Sequence, residues 1–488
     1  MKSVVMISYW FPPDGCAAVY RPLRFMRHLP ELGWSPRIVT AERDRYGCER
    51  YDPELLSLIP NSVEVARVGG RDPWQSLQAW RARRSGDRLS GVAAATGAGA
   101  QAAPSGRIRP WLRKWVRKGE ACGYHPDQAM GWIGPAAKAV LQLCSRQRAD
   151  VLWATAGPVS SFVVAERVLR SIGVPYVLDF RDSWTITYNE FDDSRPAWAR
   201  NLDRKRMHRL LKNAQAVVFR FASEAECFWR FYQGALDASR IHLIPNGYEG
   251  PIEEFSAGIG PRCQILYAGT IADYRYDGFL DALRLFRVLR AEQAKKLSVI
   301  FVGEGSEALG QRSRAMGLGD LVTTRNAVTH GEIARMTRAA DALLVLGRPQ
   351  TMRGHELFAG AKLFGYLKAA RPIVGVLPED ETRKILERVG VSTIADADSV
   401  PDIVAVLEKL LHAWSNHELT SLLPDRAACA RYSAQRQTAD LARALAGKPA
   451  AEAFVPGSHE VPPSLRCEFD EHSSERGAWH RILSAAAK

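Results

Sequence analysis

The stretch "FAGAKLFGYLKAARPIVGV", residues 358–376, sets a lysine in the first turn of a short helix that runs into a strand. A cation at that end does nothing for the helix macrodipole, which favours anions there, so Lys362 reads as the waiting counter-ion of an anionic ligand. Three residues later Gly365 leaves a gap where a longer side chain is expected.

Other loops offer compatible chemistry. In "YWFPPDGCAAVYRP", residues 9–22, Gly15 followed by Cys16, Ala17 and Ala18 keeps the approach to a helix start small. A phosphate or sugar can then come close to backbone N–H groups, although small residues would serve close packing equally well. The loop is neither a GxGxxG fingerprint nor a Walker loop. After the apolar run "PYVLDF" comes "RDSWT", which puts Asp179, Arg181 and Asp182 at a strand end. An Arg/Asp pair there is structural glue, or a group that positions a hydroxyl and stabilises developing charge. "YAGTIADYRYDGF" (267–279) and "FVGEGSEA" (301–308) add Gly269, Arg275, Gly303 and Glu304. Arg275 suits a phosphate but also a solvated loop; Glu304 could face a nucleobase or ribose, and the glycines are ordinary turn residues otherwise.

The elements that must carry these loops are legible as apolar, β-branched runs of strand length. They are "SVVMIS" (3–8), "PRIVT" (36–40), "VEVARV" (63–68), "DVLWAT" (150–155), "PYVLDF" (175–180), "AVVFR" (216–220) and "IHLI" (241–244). A second series follows with "QILYAG" (264–269), "LSVIFVG" (297–303), "ALLVLG" (342–347) and "PIVGV" (372–376). Continuous apolar strands alternating with helical patterns predict α/β domains, each a parallel sheet covered on both faces. Ligands bind such sheets beyond the carboxyl ends of the strands, where these loops lie. The Pro-, Asn- and Gly-rich segment 244–261 separates the series, giving an N-terminal domain over 1–250 and a C-terminal one over 251–446.

Composition narrows the partners. The 488 residues carry a formal net charge of +13, which attracts nucleic acid, an anionic membrane surface or phosphorylated substrates. No run of about 18 apolar residues is present to span a bilayer, and the opening "MKSVVMISYWFPPDG" reads as a first strand. The eight cysteines are scattered without CxxC pairs or His/Cys clusters, so no metal is expected and reduced thiols in a cytosol fit best. Residues 85–106 are low-complexity Gly/Ala/Ser and read as a flexible excursion, and 447–488 as a poorly ordered tail with a short helix at its end. Between them, "RIRPWLRKWVRKG" (107–119) sets Trp111 and Trp115 on one helical face and Arg113, Lys114, Arg117 and Lys118 on the other. It reads either as a helix in an anionic membrane interface, each cation contributing about 1 kcal/mol, or as a surface helix packed through its tryptophans. No nucleic-acid motif accompanies the basic stretch.

Taken in order, the motifs resemble glycosyltransferase family 4 of the GT-B glycosyltransferases. "ISYWFPPDGCAAVYRPLRFMRHLPELGWSPRIVT" looks like that family's first strand, glycine loop and helix, and "DVLWATAGPVSSFVVAERVLRSIGVPYVLDFRDSWT" like the adjoining acceptor-side units. "IHLIPNGY" is similar to its hinge; "ILYAGTI", "VIFVGEGSE", "AADALLVL" and "AKLFGYLKAARPIVGV" follow its nucleotide-sugar domain. The resemblance covers roughly residues 1–75 and 125–440. It implies two Rossmann-like domains facing each other across a cleft, a nucleotide-diphospho-sugar donor held by the C-terminal one, and transfer with retention. Lysine and arginine in place of a metal would neutralise the leaving pyrophosphate.

Carried over by residue, the resemblance puts Gly15 near the donor phosphate and Lys362 at the lysine opening the "K-l-y-E-Y-L" segment. Arg275 falls one or two places from the usual phosphate cation. Arg181 and Asp182, assigned here as the catalytic pair, stand where many members carry a histidine. Gly365 occupies the place of the second glutamate of an E-x7-E motif that holds the donor ribose, and the first falls at Leu357, beside Glu356. Losing one such charge-assisted bond costs about 1.5–3 kcal/mol. The expected function is a cytoplasmic transferase at the inner membrane face, passing sugar from a nucleotide donor to a glycan or lipid-linked acceptor in cell-surface polysaccharide assembly. The alternative is a non-catalytic GT-B-like protein that binds a sugar nucleotide or partners an active transferase.

Overall fold

The apolar runs become two parallel sheets. The computed structural model describes residues 1–42, 51–70, 125–181, 184–186, 196–256, 258, 260–271, 274–349 and 354–465. Asp182, the excursion 85–106, the basic segment with Trp111, Arg113, Lys114, Trp115, Arg117 and Lys118, and the tail beyond 465 lie outside the described residues.

The chain divides into two compact units, one of Met1–Pro245 with Gln437–Lys488, the other of Asn246–Arg436. The first sheet is built from β1 (Lys2–Ile7), β2 (Trp34–Ala41), β3 (Val65–Val68), β4 (Val151–Thr155), β5 (Tyr176–Asp179), β6 (Ala216–Phe219) and β7 (Ile241–Leu243). Its order is β3-β2-β1-β4-β5-β6-β7, and its pairs are parallel. Helices α1 (Tyr20–His28), α2 (Ile133–Arg146), α3 (Ser160–Ile172), α4 (Ala197–Asn213) and α5 (Ala222–Phe231) connect the strands. Every residue of β4, β5 and β6 is buried. Burial on both faces of a helix-covered sheet is what makes these strands continuous in apolarity rather than alternating.

The second sheet repeats the plan with β8 (Cys263–Ala268), β9 (Leu297–Val302), β10 (Val322–Arg325), β11 (Ala342–Leu346), β12 (Ile373–Leu377) and β13 (Ile394–Asp396), in the order β10-β9-β8-β11-β12-β13. Its helices include α6 (Asp277–Leu289), α7 (Ser306–Ala315), α8 (His330–Ala339), α9 (Ala361–Lys368), α10 (Glu381–Arg388) and α11 (Val400–Ser415). In both sheets the strand order reverses beside the first strand, between β1 and β4 and between β8 and β11. This is the Rossmann-like arrangement, and its ligand crevice opens at the carboxyl ends flanking that reversal.

The sequence boundary at 446 differs from the structural one. The last long helix, α12 (Ala434–Leu445), sends Leu441, Ala444 and Leu445 into the first unit's core with Val4, Met6, Trp153, Val177 and Val218. An apolar helical stripe has to be buried somewhere, and here the sheet that covers it was completed some two hundred residues earlier. Residues 447–465 likewise depart from the expected poor order. Phe454 and Leu465 are buried, the Gly457 N–H donates to Glu226 Oε2 at 2.9 Å, and Arg230 Nη2 donates to the His459 carbonyl at 3.1 Å.

Candidate functional site

In the second unit Lys362 occupies the second position of α9, and its Nζ lies 2.5 Å from the Tyr267 hydroxyl. The ammonium sits 3.8 Å from the Tyr267 ring centroid and 4.3 Å from that of Tyr274. No carboxylate pairs with it among the described residues. Burial among the rings strips water from the charge and pulls its pKa down to about 7. A lysine whose charge is this costly gains most from an anion that restores the lost solvation.

Two glycines make room for it. Gly269, just past β8, has φ +135°, and a Cβ there would stand 3.0 Å from Lys362 Nζ. At Gly303, past β9, φ is +144° and a Cβ would fall 2.1 Å from the Gly269 carbonyl oxygen. Only glycine allows the two turns to touch while the lysine lies over them. The Ile271 N–H donates to the Glu304 carbonyl at 2.9 Å, so at least through its backbone Glu304 ties these same turns together.

Of the other residues chosen from sequence, Arg275 is ion-paired with Asp398, which engages its guanidinium. Its backbone N–H donates to the Gly347 carbonyl at 3.1 Å and so joins the β8 loop to the β11 loop. Glu356 lies 3.3 Å from His355 Nδ1 in a short 3₁₀ turn, His355–Leu357. Gly365 is exposed, and a Cβ on it would meet nothing within 4 Å. The gap inferred from sequence is open space, and no neighbouring side chain fills it.

The first unit is arranged differently. Gly15 lies in the β1 loop, where buried Asp14 accepts from the Cys16 N–H at 3.2 Å. Cys16 itself is pushed up to about 11, mainly by burial, and stays a thiol. Arg181 donates to the carbonyls of Ala156 and Gly157 at 2.8 and 2.7 Å, bracing the β4 loop. Asp179 belongs to a buried pair that the sequence did not reveal. Arg21 donates to both its carboxylate oxygens at 2.7–3.1 Å, and also to the carbonyls of Ile244 and Pro245. Thr155 Oγ1 completes the carboxylate's shell at 2.8 Å.

Sequence reasoning therefore found Lys362, Gly269 and Gly303, which the fold brings together, but missed Tyr267, Tyr274 and Arg21. The tyrosines were visible as the aromatic punctuation of "YAGTIADYRY", yet that string does not say that they sandwich a lysine ninety residues away. Among the described residues no group of three or more His, Cys, Asp or Glu is arranged to hold a metal, and no helix is long and apolar enough to cross a membrane.

The two Rossmann-like units give the chain an α/β fold of the GT-B kind. Residues 17–247 match the family model described as a glycosyl transferase 4-like domain. Among solved structures it is similar to sucrose-phosphate synthase from Thermosynechococcus elongatus, at 12% identity over 91% of this chain and 98% of that one, TM-score 0.56. An E. coli structure described as trehalose-6-phosphate bound with UDP-2-fluoro glucose is similar at 12% identity over 91% and 99%, TM-score 0.53. A mutant of S. aureus TarM in complex with fondaparinux, alpha-GlcNAc-glycerol and UDP is similar at 9% identity over 91% and 100%, TM-score 0.53. No curated protein sequence matches the chain.

Proposed function

We propose that the chain is a retaining glycosyltransferase whose donor, a nucleotide-diphospho-sugar, binds in the second unit with its diphosphate against Lys362. The observation that carries this reading is the lysine itself, stacked between Tyr267 and Tyr274 and lacking a carboxylate among the described residues, over turns that only glycine can make. The bound donors and nucleotides named for two of the similar structures, UDP-2-fluoro glucose and UDP, support it.

In this mechanism the chain contributes position and charge. The ammonium stabilises the pyrophosphate as the glycosidic bond breaks, while Gly269 and Gly303, whose own N–H groups are bonded to the Val302 and Arg325 carbonyls, contribute space without side chains. Retention follows if the departing phosphate takes the acceptor proton on the same face of the sugar, which asks for no protein base; no metal is invoked. Arg181 holds the β4 loop as a positioning residue, and the role of Asp182 stays part of the proposal.

The acceptor is proposed to be a glycan or lipid-linked intermediate at the inner membrane face. Support comes from α4, whose i, i+3 and i+4 spacing lines up exposed Trp198 and Leu202 with Lys205 and Lys212 on one face, where Arg209 is held by Glu166. Such a face suits an anionic membrane interface, and flotation with anionic liposomes should fall when Trp198 is changed to Ala.

Incubating the purified protein with a panel of nucleotide sugars and membrane extract tests the whole reading. Sugar transfer or donor hydrolysis is expected. Saturable binding without turnover would return the alternative of a non-catalytic partner protein, and no binding at all would remove the donor site.

A further inference from the structure

Arg348 stands at the carboxyl end of β11, next to the strand-order reversal and directly after Gly347, whose carbonyl accepts the Arg275 N–H. Its guanidinium carbon lies 3.6 Å from the centroid of the Phe358 ring, and that contact is its only partner among the described residues. Its Nε is buried and donates to nothing among the described residues.

Four other enclosed arginines are treated differently. Arg21 has Asp179 and two carbonyls, Arg37 has the carbonyls of Leu143 and Gln147, Arg181 has those of Ala156 and Gly157, and Arg371 has those of Ser256 and Arg338. A half-buried guanidinium with no acceptor carries a desolvation cost that its ring contact offsets only in part. The neighbouring sequence offers no remedy, since "GRPQTMRGH", residues 347–355, contains no acid and adds a second arginine.

Its position is continuous with the lysine site. A Cβ on Gly360 would stand 3.6 Å from the Tyr274 hydroxyl and 3.7 Å from the Phe358 ring. Lys362, Tyr274, Gly360, Phe358 and Arg348 therefore form one uninterrupted wall. Phe358 is anchored in turn, because Thr382 Oγ1 donates to its carbonyl at 3.1 Å. The stack fixes the guanidinium plane and shields one face, so its N–H groups point along the remaining edges, in the geometry that suits a bidentate oxyanion.

We propose that Arg348 is a second anion-binding residue of the donor site, doing the work that Arg275, held by Asp398, was expected to do. It would take an anionic oxygen group of the donor, either a phosphate or a carboxylate on the transferred sugar. This rests on the donor reading given above for Lys362.

Calorimetric titration of the full-length protein with inorganic pyrophosphate, and with glucuronic acid 1-phosphate against glucose 1-phosphate, separates the two sources. Arg348→Gln is expected to weaken pyrophosphate at least tenfold if the group is a phosphate, and Arg348→Lys to restore part of the loss. If the group is a carboxylate, Arg348→Gln instead abolishes an at least tenfold preference for the glucuronate ester and leaves pyrophosphate alone. Melting curves of the variants should stay close to wild type, as a purely structural stack on Phe358 would not allow. Affinities unchanged for all three probes in Arg348→Gln, with pyrophosphate still weakened in Lys362→Met, overturn the role of Arg348 and leave the donor site standing. Failure of the wild-type protein to bind any of the probes overturns both.

Discussion

The two units place charge at the ends of nearly identical sheets and use it in opposite ways. In the first, Arg21 and Asp179 are almost wholly buried, at 2% and 0% exposure, and the carboxylate and four of the guanidinium's hydrogens are bonded within the protein. In the second, Lys362 and Arg348 have aromatic rings beside them and no counter-ion among the described residues. A closed network of this sort holds a fold in one shape, whereas charges held by π-faces and, for Lys362, one hydroxyl have their strongest interaction still to make. The contrast separates a structural charge from one proposed to bind a ligand, without reference to any relative.

Breaking the closed network should give the largest effect. Arg21→Met leaves Asp179 buried without its cation and should lower the stability of the protein by about 3–5 kcal/mol, read by urea denaturation; a loss under about 1 kcal/mol would erase the distinction drawn between the units. Lys362→Met should do the reverse to the empty protein. With a folded pKa of about 7 against the ordinary 10.5 of a lysine, the cost of burying the ammonium is fully present below pH 7 and fades as pH climbs to 10.5. The variant should therefore melt higher than wild type at pH 6.5, with the advantage gone near pH 10.5, while its nucleotide-sugar affinity falls about ten- to a hundredfold.

A pH titration sharpens the same point. Because the anion prefers the ammonium, donor affinity should be greatest below about pH 7 and then decline, approaching a tenfold loss per unit. Binding measured with a nucleotide sugar from pH 6 to 9 should show that decline in wild type and a flat profile in Lys362→Met. The smallest change is expected from Gly365→Glu. Open space receives the new side chain, the helix gains about 0.5–1 kcal/mol over glycine, and donor affinity should rise about tenfold if a carboxylate there reaches the ribose. No change would mean that the ribose is held from elsewhere.

The strands were legible because doubly covered parallel strands must be apolar throughout, and runs such as "DVLWAT" and "ALLVLG" announce it. The two that escaped notice, Val322–Arg325 and Ile394–Asp396, sit at the sheet's edges, are short, and alternate in exposure, so their residues look like loop. The site was half legible for a related reason. Lys362 and the glycines stand in local patterns with local causes, whereas the Tyr267 and Tyr274 rings, the Asp398 partner of Arg275 and the Asp179 partner of Arg21 come from sequence separations of about eighty or more, which periodicity and turn chemistry cannot register. Arg181 was read as chemistry because it follows a strand; its two carbonyl partners belong to a neighbouring loop that no local pattern links to it.

The insertion of Leu441, Ala444 and Leu445 into the first unit's core has a consequence for synthesis. The ribosome finishes β7 and then makes all of Asn246–Arg436 before the helix that seals the earlier core emerges. At 5–20 residues per second that interval is roughly 10–40 s, during which the nascent first sheet exposes an apolar strip to the cytosol. The late helix is thus a lock turned from behind, and chains truncated before residue 437 should bind ribosome-associated chaperones far longer than the full-length product.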